Sequence, residues 1–123
     1  MEIVHEMKKY NIKILGMSEV KKKGNGMKRL EENYILRYSG VPAGSRAKEG
    51  LGIIIEEELD RNVVDWKAIN SRIMSVDIDL EEKMTIIQVY GPTEDSDILE
   101  KEIFFAELQR ELERTEVRNR KPI

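Results

Sequence analysis

The fold of this chain is indicated by the stretch Ile14-Leu15-Gly16-Met17-Ser18-Glu19, a short apolar run that ends in a carboxylate. A continuous apolar run between polar residues is typical of a buried strand. A carboxylate that directly follows such a strand faces the edge of the sheet where ligands bind in layered α/β folds. Its oxygens suit a hard cation such as Mg²⁺. Glu19 is therefore a candidate metal ligand, although by position alone an acid after a strand is more often a solvated turn residue.

A second apolar run, Ile86-Ile87-Gln88-Val89-Tyr90, is followed by Gly91 and Pro92. Proline cannot donate to a β-ladder, so the strand is predicted to end at Tyr90. Tyr90 then lies at a strand end, as Glu19 does, and the two are candidates for half of an active site. The alternative is that Tyr90 packs its ring and leaves its hydroxyl in water.

Composition limits the classes of protein that fit the chain. Its 123 residues predict one domain, and 40% hydrophobic with 37% charged residues favour a soluble protein. The sequence shows no secretory signal and no run long enough to span a membrane, so we expect an intracellular protein, nuclear or cytoplasmic. The absence of cysteine excludes disulfides and thiolate metal sites. A net charge of −3 argues against nucleic-acid binding by overall electrostatics.

A local basic strip follows the candidate metal ligand. Lys21, Lys22 and Lys23 come first, and Lys28 and Arg29 follow a glycine-containing stretch that predicts a loop. Such a strip could hold a phosphate backbone. A solvated lysine loop is an equally good interpretation.

The remaining pattern predicts alternating helices and strands. A helix over 1–10 is followed by strands at 12–18, 33–38, 51–55, 63–66, 74–80 and 84–90, and then by a helix capped by Ser96 or Asp97. The strand at 74–80 alternates, which predicts a wet face that carries Ser75, Asp77 and Asp79. The last helix is expected to bury an apolar side, made of Leu99, Phe104, Phe105, Leu108 and Leu112. This order predicts an α/β fold with a mixed sheet.

Several motifs occur together in an order that resembles one known superfamily. They are the segments 14–21, 38–40, 49–55, 71–76, 86–93 and 104–108. Their joint order is similar to that of the endonuclease/exonuclease/phosphatase superfamily. The similarity is greatest to the endonuclease domains of non-LTR (LINE-type) retrotransposons and to the craniofacial-development-protein-like sequences derived from them.

The resemblance implies a fold, a reaction and site residues. The fold would be a four-layer α/β/β/α sandwich, with residues 1–123 as a single partial domain that supplies roughly its N-terminal half. The reaction would be metal-dependent phosphodiester hydrolysis that nicks DNA. Glu19 would bind Mg²⁺ or Mn²⁺, and Tyr90 would donate to a phosphate oxygen. Lys21, Lys22 and Arg72 would contact nucleic acid, although for Arg72 we favour pairing with a carboxylate.

The sequence also departs from the superfamily pattern. The family's early asparagine, its Asp-x-Asn and its late Asp-His pair have no counterparts here, and the one histidine, His5, lies in the first helix. We therefore expect a truncated domain that is inactive alone, with Ile14, Leu15 and Met17 near an unpaired sheet edge that could self-associate. Two alternatives stay open: a non-catalytic module that binds protein or nucleic acid, and a small-molecule phosphatase of the same superfamily.

Overall fold

The computed structural model describes residues 2–20, 22, 24–40 and 50–120. Its helices are α1 (Glu2–Lys9), α2 (Glu57–Asp60) and α3 (Ile98–Arg118), with a 3₁₀ turn at Glu31–Asn33. Its strands are β1 (Ile14–Ser18), β2 (Asn25–Leu30), β3 (Tyr34–Ser39), β4 (Leu51–Glu56), β5 (Val63–Asn70), β6 (Ile73–Asp79) and β7 (Lys83–Val89).

The strands form two sheets. The first sheet has the order β1-β4-β3-β2, and the second has the order β5-β6-β7. Every ladder between these strands is antiparallel, which corrects the expected mixed sheet. A parallel pair needs a crossover connection, and among residues 2–20, 22, 24–40 and 50–120 no helix connects two strands that neighbour each other in a sheet.

The α/β class is confirmed. The helices and sheets pack on one another in the order α1, first sheet, second sheet, α3. One face of the first sheet packs against the second sheet through Leu51, Ile53 and Ile55 of β4 and Met74, Val76 and Ile78 of β6. The opposite face, with Tyr34, Leu36 and Ile54, packs on Val4 and Met7 of α1. Helix α3 hydrogen-bonds to the outer face of the second sheet. This order is compatible with the expected α/β/β/α layers.

Strand β1 is an edge strand, where the sequence predicted a buried one. Among the described strands it pairs only with β4, and its residues are half-buried or exposed, none fully buried. The apolar run reflects the packing of its two faces. Within the part of the chain that the structure describes, Ile14, Leu15 and Met17 lie in an edge strand, as expected.

The glycine-containing stretch at residues 24–26, expected as a loop, lies mostly in strand β2. This strand pairs with β3, with Gly26 opposite Tyr38. A Cβ atom on Gly26 would lie 2.6 Å from the Tyr38 hydroxyl oxygen, so the glycine makes room for that side chain. Gly26 is thus needed for close packing within a strand. Local turn signals alone cannot distinguish this role of a glycine from a loop.

The predicted wet face of β6 is wrong for Ser75 and Asp77, whereas the side chain of Asp79, at the end of the strand, is 40% exposed. Ser75 is 0% and Asp77 2% exposed, because α3 covers this side of the sheet. The α3 residues that are buried are Phe104, Glu111 and Thr115. The expected apolar side of the helix is largely wrong: Phe104 is buried, but Leu99, Phe105 and Leu112 are 65%, 59% and 45% exposed. The helix instead packs on the sheet through ion pairs, in which Arg114 and Arg118 contact Asp77 of β6.

Asp97 caps α3, since its side chain accepts a hydrogen bond from the Glu100 N–H at 2.7 Å. Within the described ranges, none of the helices is both long and apolar enough to cross a membrane.

Candidate functional site

Glu19 is the residue directly after β1, and its backbone turns sharply there. Its φ is 56°, in the left-handed region that only a few non-glycine residues adopt. The chain then rejoins the sheet, since the Val20 N–H donates to the Gly50 carbonyl at 2.9 Å. This turn presents the exposed Glu19 carboxylate at the end of the strand. The predicted placement of Glu19 at a strand end is therefore confirmed.

Tyr90 lies directly after β7, and its hydroxyl meets that carboxylate. The Tyr90 Oη–H donates to Oε1 of Glu19 at 3.0 Å, across 71 positions of sequence. The ring packs against the core between the sheets. The structure thus brings together the two strand-end residues that the sequence analysis singled out, with the tyrosine partly buried and the carboxylate exposed.

Strand β7 approaches β1 closely at a glycine. A Cβ atom on Gly16 would lie 2.1 Å from Oε1 of Gln88, the end of a flexible side chain. A larger residue at position 16 would therefore require the Gln88 side chain to move, two residues before Tyr90. Gly16, within the stretch that indicated the fold, thus leaves the space that the Gln88 side chain occupies beside the site.

Arg72 lies beside Tyr90 at the start of β6. Its Nη1 donates to the Tyr90 carbonyl at 3.3 Å, and its Cζ lies 5.8 Å from the centroid of the Tyr90 ring. The Tyr90 N–H in turn donates to the Arg72 carbonyl at 2.8 Å. Nη2 of Arg72 forms an ion pair with Oε1 of Glu100 at 3.2 Å. The favoured interpretation, that Arg72 pairs with a carboxylate, is confirmed.

The predicted basic strip is only partly visible. Lys21 and Lys23 lie outside the described residues. The Lys22 ammonium lies 5.8 Å from the centroid of the Tyr38 ring, a cation–π distance. Arg29 pairs with Glu57 of α2. A role for Lys21, Lys22 or Arg72 in binding nucleic acid stays a prediction.

The site offers the type of ligand atom that a magnesium-type ion prefers, but too few such ligands to hold the ion. The exposed carboxylate of Glu19 is a hard oxygen ligand of the kind that Mg²⁺ and Mn²⁺ prefer. Among residues 2–20, 22, 24–40 and 50–120, no group of three or more His, Asp or Glu side chains lies together in a way that could hold a metal ion. Glu19 could therefore supply one ligand, and the substrate or water would have to supply others.

Sequence reasoning missed the part that α3 plays in the site. Glu100 contacts Arg72, and Glu107 accepts a hydrogen bond from Asn70 Nδ2 at 2.6 Å, so the helix reaches the turn between β5 and β6 at two points. The sequence does contain a pattern that could have indicated this contact. One face of the helix is mainly charged and follows the helical repeat, at positions 100, 104, 107, 111, 114 and 118.

Comparisons with known proteins give a partial match. The chain is 32% identical over 114 residues to Craniofacial development protein 2 of Bos taurus, and 31% identical over the same length to that of Tragulus javanicus. These 114 residues are 92% of this chain but 19% of each relative, so the chain spans about a fifth of their length. No family model matches the chain, and no solved structure matches it. The similarity supports the resemblance to craniofacial-development-protein-like sequences.

Proposed function

We propose that this chain forms the phosphate-binding part of a metal-dependent phosphodiester hydrolase that nicks DNA. The observation that carries the proposal is the hydrogen bond from the Tyr90 hydroxyl to Glu19, at 3.0 Å. It supports the proposal because a phenolic donor and a carboxylate from two distant strand ends are held side by side. A hydroxyl donor suits a phosphate oxygen, and a carboxylate suits a hard cation.

The chemistry available to the chain's own residues is binding and charge neutralisation. Tyr90 would donate to a non-bridging phosphate oxygen, and the guanidinium of Arg72, beside the Tyr90 ring, adds positive charge there. Glu19 would contribute one oxygen to a Mg²⁺ or Mn²⁺ ion. Such an ion, when bound, supplies stabilisation of the negative charge that develops during phosphoryl transfer.

Water activation is the step for which no described residue corresponds to the Asp-His pair that the resemblance implies. A general base must lie within hydrogen-bond reach of the proton that it takes. The one histidine of the chain, His5, lies in α1, where its Nδ1 is 3.9 Å from Glu32. Helix α1 packs on the face of the first sheet opposite to the second sheet. We therefore propose that this chain binds phosphodiesters and does not hydrolyse them by itself.

The binding half of the proposal is tested with a short fluorescein-labelled DNA duplex in buffer that contains Mg²⁺. Loss of the Tyr90 hydroxyl in Tyr90→Phe removes one hydrogen bond, which should weaken binding about fivefold. Tyr10→Phe is the matched control, because it removes the same atom from a residue that is 65% exposed at the end of α1. Equal affinities of the wild type and Tyr90→Phe would show that the hydroxyl does not contact phosphate.

The catalytic half is tested with supercoiled plasmid and Mg²⁺. We expect no nicking above the buffer blank. Nicking that survives removal of host nucleases and disappears in Glu19→Gln would show that the chain is catalytically complete. Binding to an inositol or sugar phosphate, without binding to DNA, would instead favour the small-molecule phosphatase interpretation.

A second candidate function, a non-catalytic binding module, is favoured by one observation. The candidate groups already engage one another: Tyr90 contacts Glu19, and Arg72 is paired with Glu100. A site in this state could serve as a recognition surface without turnover. Such a module would bind the DNA duplex equally well with and without Mg²⁺, whereas the hydrolase proposal requires Mg²⁺ to strengthen binding through Glu19.

A further inference from the structure

The ion pair between Arg72 and Glu100 joins helix α3 to the candidate site. The guanidinium of Arg72 has one nitrogen on the Tyr90 carbonyl and another on the Glu100 carboxylate. The Arg72 side chain is 17% exposed, whereas that of Glu100 is 47% exposed. The arginine is thus held in place by the protein, and the carboxylate is the partner that can exchange with a ligand from solvent.

The position of Glu100 in α3 favours a charged carboxylate there. It is the third residue of the helix, and its N–H donates to the Asp97 cap at 2.7 Å. The helix dipole places partial positive charge at this end, which stabilises a negative side chain. At the third helical position a glutamate commonly reaches back to the cap residue's own N–H. Here the side chain instead reaches across to the second sheet and contacts Arg72.

We infer that Glu100 is a specificity-determining residue that acts as an internal counter-ion of Arg72, so that a phosphate oxygen must displace its carboxylate in order to reach the guanidinium. This inference rests on the proposed function of the site. It explains how a largely buried arginine is kept ready beside Tyr90 while its charge is neutralised. Ligands that carry no anionic oxygen cannot replace the carboxylate, so the exchange selects for phosphate-bearing ligands.

The inference predicts that a mutation at the site strengthens binding of the ligand, where the loss of a side-chain contact usually weakens it. Glu100→Gln keeps the shape of the side chain and removes the competing charge, so it should tighten binding of the labelled DNA duplex about fivefold. The salt dependence should become steeper by about one unit of slope, because one more phosphate contact forms. Glu100→Asp keeps the charge on a side chain that is one methylene shorter, which lengthens the distance to Arg72. It should tighten binding by a smaller factor.

The matched control is Glu102→Gln. It changes the net charge by the same amount on the same helix, but it lies two positions along and therefore about 200° round the helix axis. Its effect measures the general gain from lost repulsion. The excess of Glu100→Gln over Glu102→Gln is the quantity that the inference predicts. In the Arg72→Gln background this excess should disappear, because no guanidinium is left to release.

Each outcome decides the inference. It is supported if Glu100→Gln binds the DNA duplex more tightly than Glu102→Gln and this gain in affinity depends on Arg72. The same holds if the wild type does not bind measurably but Glu100→Gln does. It is overturned if the two glutamine variants behave alike, if Glu100→Gln binds more weakly, or if neither binds. Thermal melting of each variant checks that α3 stays folded.

Failure of the inference can be told apart from failure of the proposed function. If Tyr90→Phe weakens binding while Glu100→Gln has no effect, the phosphate site stands and the counter-ion role is wrong. If neither the wild type nor any variant binds the DNA duplex, the proposed function fails as well.

Discussion

Arg114 of α3 and Asp77 of β6 form a two-point ion pair, in which Nη1 donates to Oδ2 and Nη2 to Oδ1, each at 3.2 Å. Such paired, charge-assisted hydrogen bonds are strong and directional. Asp77 is 2% exposed and Glu111 5% exposed, and Arg114 also donates to Oε2 of Glu111 at 2.7 Å. Arg118 also pairs with Asp77, with its Nε 3.4 Å from Oδ2. Two guanidiniums of α3 therefore face the two buried carboxylates, and Arg114, which contacts both, fixes α3 on the second sheet.

Arg114→Met should destabilise the protein strongly. The substitution keeps an apolar stem of similar length but leaves Asp77 and Glu111 buried without this counter-charge. Loss of one partner of a buried ion pair costs about 3–5 kcal/mol, and the partial exposure of Arg114 lowers our expectation to about 2–4 kcal/mol. The measurement is the free energy of unfolding in urea.

Arg110→Met is the control for that substitution. Arg110 lies one helical turn earlier and is exposed, so its loss should change stability by about 0.5 kcal/mol or less. Equal effects of the two variants would mean that the pair with Asp77 contributes nothing specific to the docking of α3.

The same cluster predicts the stability of the protein in acid. Burial raises the pKa of Asp77, but hydrogen bonds from Arg114 and Thr85 outweigh it, so the pKa lies below the ordinary 3.8. Burial likewise raises the pKa of Glu111, yet hydrogen bonds from Arg114 and Ser75 lower it below the ordinary 4.5. Groups with a lowered pKa in the folded state stabilise the fold when ionised.

This stabilisation is fully present above those ordinary values and is lost as the pH falls through the lowered ones. Unfolding measured as a function of pH should show the loss in the wild type. In Arg114→Met, only burial and the weaker partners remain, so the cost of the substitution should shrink in acid as the carboxylates become protonated. A cost that stays constant with pH would contradict this account of the cluster.

Glu19 should bind Mn²⁺ weakly and specifically. Its exposed carboxylate offers one hard oxygen ligand at the end of β1, so we expect paramagnetic broadening of NMR signals from Glu19 and Tyr90 at low Mn²⁺ concentration. Glu19→Gln should abolish the broadening. Glu58→Gln removes an exposed acid from the run Glu56-Glu57-Glu58 and should leave it unchanged. Broadening that persists in Glu19→Gln would place the ion elsewhere.

Strand β1 should mediate self-association. The Glu56 N–H donates to the Lys13 carbonyl, so the alternation of an antiparallel ladder directs the N–H and C=O groups of Ile14, Gly16 and Ser18 away from β4. An open edge of this kind is a template for pairing with another strand. Light scattering after size-exclusion chromatography should show dimers or larger species.

A charge on that edge should reduce the association. Ser18→Lys places an exposed lysine at the end of β1, whereas Asn25→Lys places the same charge on β2, the other edge of the first sheet. We expect the first variant to be more monomeric than the second. A wild-type protein that is monomeric at all concentrations would show that the open edge does not pair.

The sequence by itself determined most of the elements, with β2 and α2 as exceptions, and the strand-end positions of the site. Apolar runs with polar ends predict strands from local information, so Glu19 and Tyr90 could be placed at strand ends without any knowledge of the fold. The cap at Asp97 was equally local, since it depends on a side chain and an N–H three residues apart. The resemblance added the chemistry that these positions could serve.

The tertiary structure alone decided which residues meet and which faces are buried. Tyr90 reaches Glu19 across 71 positions, because the packing of the two sheets brings the ends of β1 and β7 together, and no periodic pattern encodes that contact. Asp77 had a solvent-facing pattern, yet it is buried because Arg114, 37 residues later, brings the charge that makes its burial tolerable. Hydrophobic periodicity measures the polarity of one element at a time, whereas the burial of a charge depends on the partner that another element supplies.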